Sequence, residues 1–286
     1  DVTLSHLSIT GGEHGVYASY SSDSDNVVIE ESDVYGNKLE GIFIDDSNDD
    51  VLLLEDRVHD NGGSYTGAQL EGARAVVRGG EYYGSSYGIR LYGDVSLAEG
   101  VEVYGNSTGG IHARGDGTVV RDNLVRENGN WGIQAEYGGV LVTGNTVFGH
   151  DDDATDCALN TNNATVLQNE VYGNARGVSG RGEILENRIY GNTEEGGYST
   201  GGSTISGNVI YSNKVGIKTD YNASANEIVN NLVYENTDQG VWFNYGANHR
   251  LVNNTIYQSV GDALRVSGGS ANVSSYNNIF WIDTGQ

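Results

Sequence analysis

Apolar and polar positions alternate inside short runs that Gly and Asn bound, as in DVYGN at 33–37 and GIFID at 41–45. A period of two marks β-strands rather than helices. The runs also repeat. EVYGN at 102–106 and again at 170–174, RIYGN at 188–192, VIYSN at 209–213 and LVYEN at 232–236 are copies of one phrase. Its central aliphatic position falls at Ile9, Val34, Val58, Tyr82, Val103, Val125, Val147, Val171, Ile189, Ile210, Val233, Ile256 and Ile279, thirteen copies with a mean step of about 22 residues. A G-[IV]-x-x-x run follows each Asn, as in GIRLY, GIHAR, GIQAE, GIKTD and GVWFN, and a third apolar run follows that, as in VVIE, VLLLE, AVVR and VLVT.

Three strands and three corners in so short a repeat leave no room for a crossover helix, so each turn closes only by lying parallel on the last. The expected fold is all-β: a parallel solenoid with three strands per turn and 12–13 turns, forming one domain over residues 1–286. In this register Ile111 and Ala113 of GIHAR point inward, while His112 and Arg114 point to solvent.

The repeated N-x-[IV]-Y-x-N…G-[IV] unit resembles the right-handed parallel β-helix proteins of the pectate-lyase-like superfamily across essentially the whole chain. The resemblance implies a single-stranded right-handed β-helix, a hand that agrees with the general preference of parallel crossovers. It implies no one activity, since that superfamily includes polysaccharide lyases, uronan epimerases, glycosidases, adhesins and proteins without assigned activity.

Composition changes the picture further. The 39 acidic residues against 15 basic ones give a formal net charge of -24, which repels nucleic acid and anionic membranes. No apolar run approaches the ~20 residues of a membrane helix, so no membrane insertion is expected. With Cys157 alone, no internal disulfide forms, and that side chain is expected as a small buried hydrophobe in the column of Ile111 and Ile133. The chain lacks Met altogether and shows no cap at either end, so it is expected to be a piece of a longer polypeptide or to self-associate end to end. An acidic, lysine-poor surface suits an extracellular or cell-surface location.

The outward positions of neighbouring GI runs bring Glu71, Arg90, Tyr92, His112, Arg114, Gln134 and Glu136 into one ligand-binding patch. A lyase or epimerase acting on a uronate polymer needs a cation at the carboxylate, a base for the α proton and an acid for the opposite face or leaving oxygen. Arg90, Tyr92, His112, Arg114 and Glu136 are the candidate catalytic set. The same residues also read as charge pairs across adjacent strands. The residue after the central aliphatic is aromatic in ten of thirteen copies, from Tyr35 to Phe280, with Thr10, His59 and Arg126 interrupting; the rings read as a stacked ladder or as a platform for sugars. The Asn two residues further on suits a corner, by tolerating left-handed backbone and bonding to its copies above and below. The run HDDDATD places Asp151, Asp152, Asp153 and Asp156 as candidate Ca²⁺ ligands or as a solvated corner.

These features lead first to a non-catalytic extracellular module: a stalk, adhesin or filament building block. The alternatives are a polysaccharide lyase or epimerase using the patch, with a polysaccharide as partner, and a carbohydrate-binding module using the aromatic ladder.

Overall fold

A computed structural model describes residues 2–150, 153–220 and 223–284, and every regular element among them is a β-strand. The chain groups into two compact units, Asp1–Thr146 and Val147–Gln286. In each unit the strands form three faces of a parallel β-solenoid. The first face carries the ladder strands, in unit one from Ser8–Thr10 to Leu124–Arg126, in unit two from Glu170–Tyr172 to Ile279–Thr284. The second carries the GI strands, including Tyr87–Leu91, Gly109–Ala113 and Trp131–Glu136 in unit one and Glu195–Ser199, Val215–Thr219, Gln239–Asn244 and Asp262–Ser267 in unit two. The third is built from runs such as Leu52–Leu54 and Val76–Arg78 in unit one and Glu227–Val229 in unit two. Pairing is parallel and in register, so Val34 faces Val58, and Ile89 faces Ile111, which faces Ile133.

The inward side chains are fully buried columns: Ile29, Leu53, Val77, Ala98 and Val120 on one face of unit one, and Ile189, Ile210, Val233 and Ile256 on one face of unit two, each at 0–1% exposure. The Gly of each GI run is required by close approach. A Cβ on Gly88 would sit 2.4 Å from Val103 Cγ1 and 3.1 Å from the Gly110 carbonyl oxygen. The turns are packed too tightly there for any side chain.

The corner Asn residues form a buried ladder through the expected bonding to their copies, but without the left-handed backbone expected of them. Asn106 donates its backbone N–H and its Nδ2 to Asn128 Oδ1 at 3.1 and 2.9 Å, and Asn174, Asn192 and Asn213 repeat this in unit two. The left-handed residue is the one before the Asn: Gly36, Asp60, Gly105, Glu127, Gly173, Ser212 and Glu235 all have positive φ, whereas the Asn does not. A second ladder, not foreseen, runs along another corner through Asn123 and Asn145 in unit one and Asn187, Asn208, Asn231 and Asn254 in unit two. In unit one Ser32 and Asp56 occupy its earlier positions, with Ser32 N–H donating to Asp56 Oδ1 at 2.9 Å.

Three local expectations change. In the last turn the register slips by one, so Phe280 pairs with Ile256 and Trp281 with Tyr257, displacing Ile279 from the aliphatic column. Leu159, not Cys157, continues the aliphatic column by facing Val178; Cys157 faces Arg176 and is buried all the same. Nor does His59 interrupt the aromatic ladder: its ring stacks between Tyr35 and Tyr83 at 5.2 and 4.7 Å.

Candidate functional site

The GI strands of unit one place Gln69, Arg90, His112 and Gln134 in one register column on the outer face. Glu136, two residues beyond Gln134, ends its strand, and Glu71, Tyr92 and Arg114 fall at the equivalent positions just past theirs, on the same side. The predicted patch is therefore assembled, with one change: His112 points outward, as expected, yet is only 7% exposed. Tyr92 packs edge-on against its ring and Tyr87 stacks on it. These rings exclude water from a side chain that the register alone leaves open.

His112 Nδ1 lies 3.1 Å from the Tyr92 hydroxyl, and Nε2 lies 3.5 Å from Glu136 Oε2. Nε2 makes no hydrogen bond there, so Glu136 acts on it through charge alone; a proton on Nε2 faces that carboxylate and leaves Nδ1 to accept from Tyr92. Burial lowers the His112 pKa to about 4, outweighing the attraction of Glu136, while Arg90 and Arg114 push the same way as burial. The ring is thus a neutral acceptor at ordinary pH.

Glu136 is fixed by Arg114 Nε at 3.1 Å and by Gln134 Nε2 at 2.9 Å. Arg114 lies over the Tyr92 and Tyr137 rings and donates to the Tyr137 hydroxyl at 2.9 Å, the first cause of its raised pKa. Arg90 differs from the other cations here. It stacks on the Tyr87 ring at 4.2 Å and donates from Nη1 to the amide oxygen of Gln69 at 3.2 Å. Its Nε is buried without a hydrogen-bond partner, and among the described residues no carboxylate pairs with it. Glu71 joins the patch only through Gln69, which donates to it at 2.6 Å.

Gln69, Tyr87 and Tyr137 were missed as parts of the site. Gln69 was legible, since it sits in register with Arg90. Tyr87 and Tyr137 lie at strand ends, where the period-two pattern no longer fixes direction.

The other candidate features resolve differently. Ladder rings stack at 4.7–5.2 Å in unit one and 4.8–5.1 Å in unit two, so each covers its neighbour's faces and presents only an edge to solvent. Of the acidic run, Asp151 and Asp152 lie outside the described residues. Asp153 Oδ1 accepts from the Thr155 backbone and hydroxyl, and Asp156 Oδ2 accepts from the Asp153 N–H at 2.7 Å. Among the described residues no group of three or more His, Cys, Asp or Glu could hold a metal ion.

The family model described as the right-handed beta helix region matches residues 66–182 and 178–280. No curated protein matches the chain in sequence. Several solved structures share the fold. The mannuronan C-5 epimerase AlgE6 A-module of Azotobacter vinelandii is 17% identical, with a TM-score of 0.64 over 89% of this chain and 90% of its own. The Dettilon tailspike protein is 13% identical, with a TM-score of 0.54 over 90% of this chain and 56% of its own. The periplasmic alginate epimerase AlgG is 14% identical, with a TM-score of 0.50 over 88% and 76%.

Proposed function

Since the chain belongs to the right-handed beta helix family, we propose that it acts on a uronate-containing polysaccharide by removing the proton next to the sugar carboxylate. The observation that carries this reading is the line Glu136–His112–Tyr92 beside Arg90, a guanidinium that lacks a carboxylate partner among the described residues. Arg90 pairs with the substrate carboxylate and stabilises the charge that moves onto its oxygens when the proton leaves. Tyr92, half-buried where His112 is buried, is the proton-transfer group at C5. As its oxygen takes the substrate proton, its own proton passes to His112 Nδ1, and Glu136 steadies the imidazolium that forms. Arg114 holds both Glu136 and the Tyr92 ring in place. Return of a proton to the opposite face of C5 gives an epimer; loss of the 4-oxygen substituent gives an unsaturated end.

Fold-sharing proteins whose names state an action on mannuronan or alginate support the substrate class, and the periplasmic one supports a location outside the cytoplasm. The test is to incubate the protein with mannuronan, polyguluronate and polygalacturonate in D₂O. Deuterium at C5 or ultraviolet absorbance from unsaturated ends is expected, lost in Tyr92→Phe and reduced at least tenfold in His112→Gln and Arg90→Ala. Absence of both signals on every uronan would return the protein to the non-catalytic module reading.

A further inference from the structure

In unit two the GI face carries a different column. Tyr198, Lys218, Trp242 and Arg265 occupy successive strands in direct register. With Arg176 they form a continuous alternation of cation and ring. The Arg176 guanidinium lies 4.3 Å from the Tyr198 centroid, and Lys218 Nζ lies 5.5 Å from Tyr198 and 4.9 Å from Trp242. Arg265 lies 5.0 Å from the other side of Trp242. Trp242 is itself anchored, its Nε1 donating to Ser267 Oγ at 2.8 Å.

Among the described residues a single buried carboxylate serves two of these three cations. Glu195, 3% exposed, accepts from Arg176 Nε at 2.8 Å and Lys218 Nζ at 2.6 Å. Asp220 is engaged with the Tyr198 hydroxyl, whose pKa burial raises first and Asp220 further. Arg265 is exposed and has no carboxylate partner among the described residues. Most other cations are paired with acids of their own, as in Arg74 with Asp49 and Asp50, Lys214 with Glu194 and Arg250 with Glu227. A chain with 39 acids and 15 bases gathers three of those bases here, against their mutual repulsion. The rings hold them in fixed places, and an anion would relieve the repulsion.

We propose that this column is a second binding site for an anionic polysaccharide, separate from the Tyr92 site and without a part in proton transfer. Lys218 and Arg265 stand two strands apart, roughly 10 Å at the spacing of paired strands, so the polymer lies across the strands and sets alternate carboxylates against them. Trp242 positions the cations rather than stacking on sugar, since Lys218 and Arg265 already cover its two faces. That the ligand is a uronate polymer rests on the proposed function; that it is a polyanion rests on this column alone.

The experiment measures binding of saturated mannuronate and galacturonate hexamers by calorimetry and tryptophan fluorescence, in an Arg90→Ala background that disables the first site. Binding is expected, weakening steeply with added salt. Arg265→Ala should lower affinity at least tenfold, with Arg265→Lys recovering part of it and Lys218→Met as a second variant. C5 exchange on short substrates should be unchanged by Arg265→Ala with Arg90 intact. Unaltered affinity in both Arg265→Ala and Lys218→Met, equal affinity for a neutral glucan hexamer, or no binding in the Arg90→Ala background would overturn the second site. Loss of C5 exchange in every assay, with hexamer binding retained, would instead overturn only the enzymatic reading.

Discussion

Asp56 stands where the second corner ladder of unit one later uses Asn, and the substitution Asp56→Asn tests what that costs. Its side chain is 0% exposed and accepts from Ser32 N–H at 2.9 Å and Leu54 N–H at 3.1 Å. Burial nonetheless raises its pKa from 3.8 to about 6, with Glu30 and Glu55 adding to the rise and the two backbone donors opposing it. Because the folded value lies above the unfolded one, the fold favours the protonated acid. Stability is whole below the unfolded pKa and falls as pH rises toward the folded one. Linkage sets the loss at about 0.5 kcal/mol at pH 4 and about 3 kcal/mol at pH 8. An Asn avoids this loss, and its amide can do what Asn145 does, donating to backbone carbonyls at 2.9 and 3.1 Å. It forfeits the acceptor for Leu54 N–H, about 1 kcal/mol at every pH. The difference in unfolding free energy between Asp56→Asn and wild type, from urea denaturation at pH 4 and pH 8, is therefore expected to shift in favour of the mutant by about 2.5 kcal/mol. A pH-independent difference would show that Asp56 is not held as described.

Three further outcomes follow from the same structure. The Tyr82 hydroxyl is fully buried without a partner, so Tyr82→Phe should leave stability unchanged or raise it by about 1 kcal/mol; a drop beyond that in denaturant midpoint would mean that the hydroxyl is satisfied. Gly88→Ala drives a methyl into Val103 and the Gly110 carbonyl and should destabilise by about 3 kcal/mol, whereas Gly105→Ala, with open space but φ of +62°, should lose only about 1 kcal/mol. Burial keeps His112 neutral down to about pH 4, so the acid limb of C5 exchange should fall near that pH; a limb at the ordinary imidazole value of 6.5 would refute a buried, neutral ring.

The patch illustrates how far the chain could be read in advance. Arg90, His112 and Gln134 fall on one outer column because the repeat spacing and the two-residue period are both visible in the letters. The rings that bury His112 belong to a strand end and to the neighbouring turn, where direction depends on corner geometry rather than on period. The alternation of cations and rings in unit two is not legible in the letters, for a related reason. Tyr198, Lys218, Trp242 and Arg265 are each unremarkable in their own runs, and become a column only through register.

From the residue order alone came the solenoid, its three faces, the inward columns and the side of the sheet on which the basic residues lie, because each depends on spacing within a turn and on its repetition. Tertiary structure decided which of the described arginines lack an acid, that His112 is dry, that Asp56 sits in an Asn position, and that the last turn slips by one. These depend on contacts between side chains about 22 residues apart, in adjacent turns, where rotamer and corner geometry choose among partners that the sequence presents as equals.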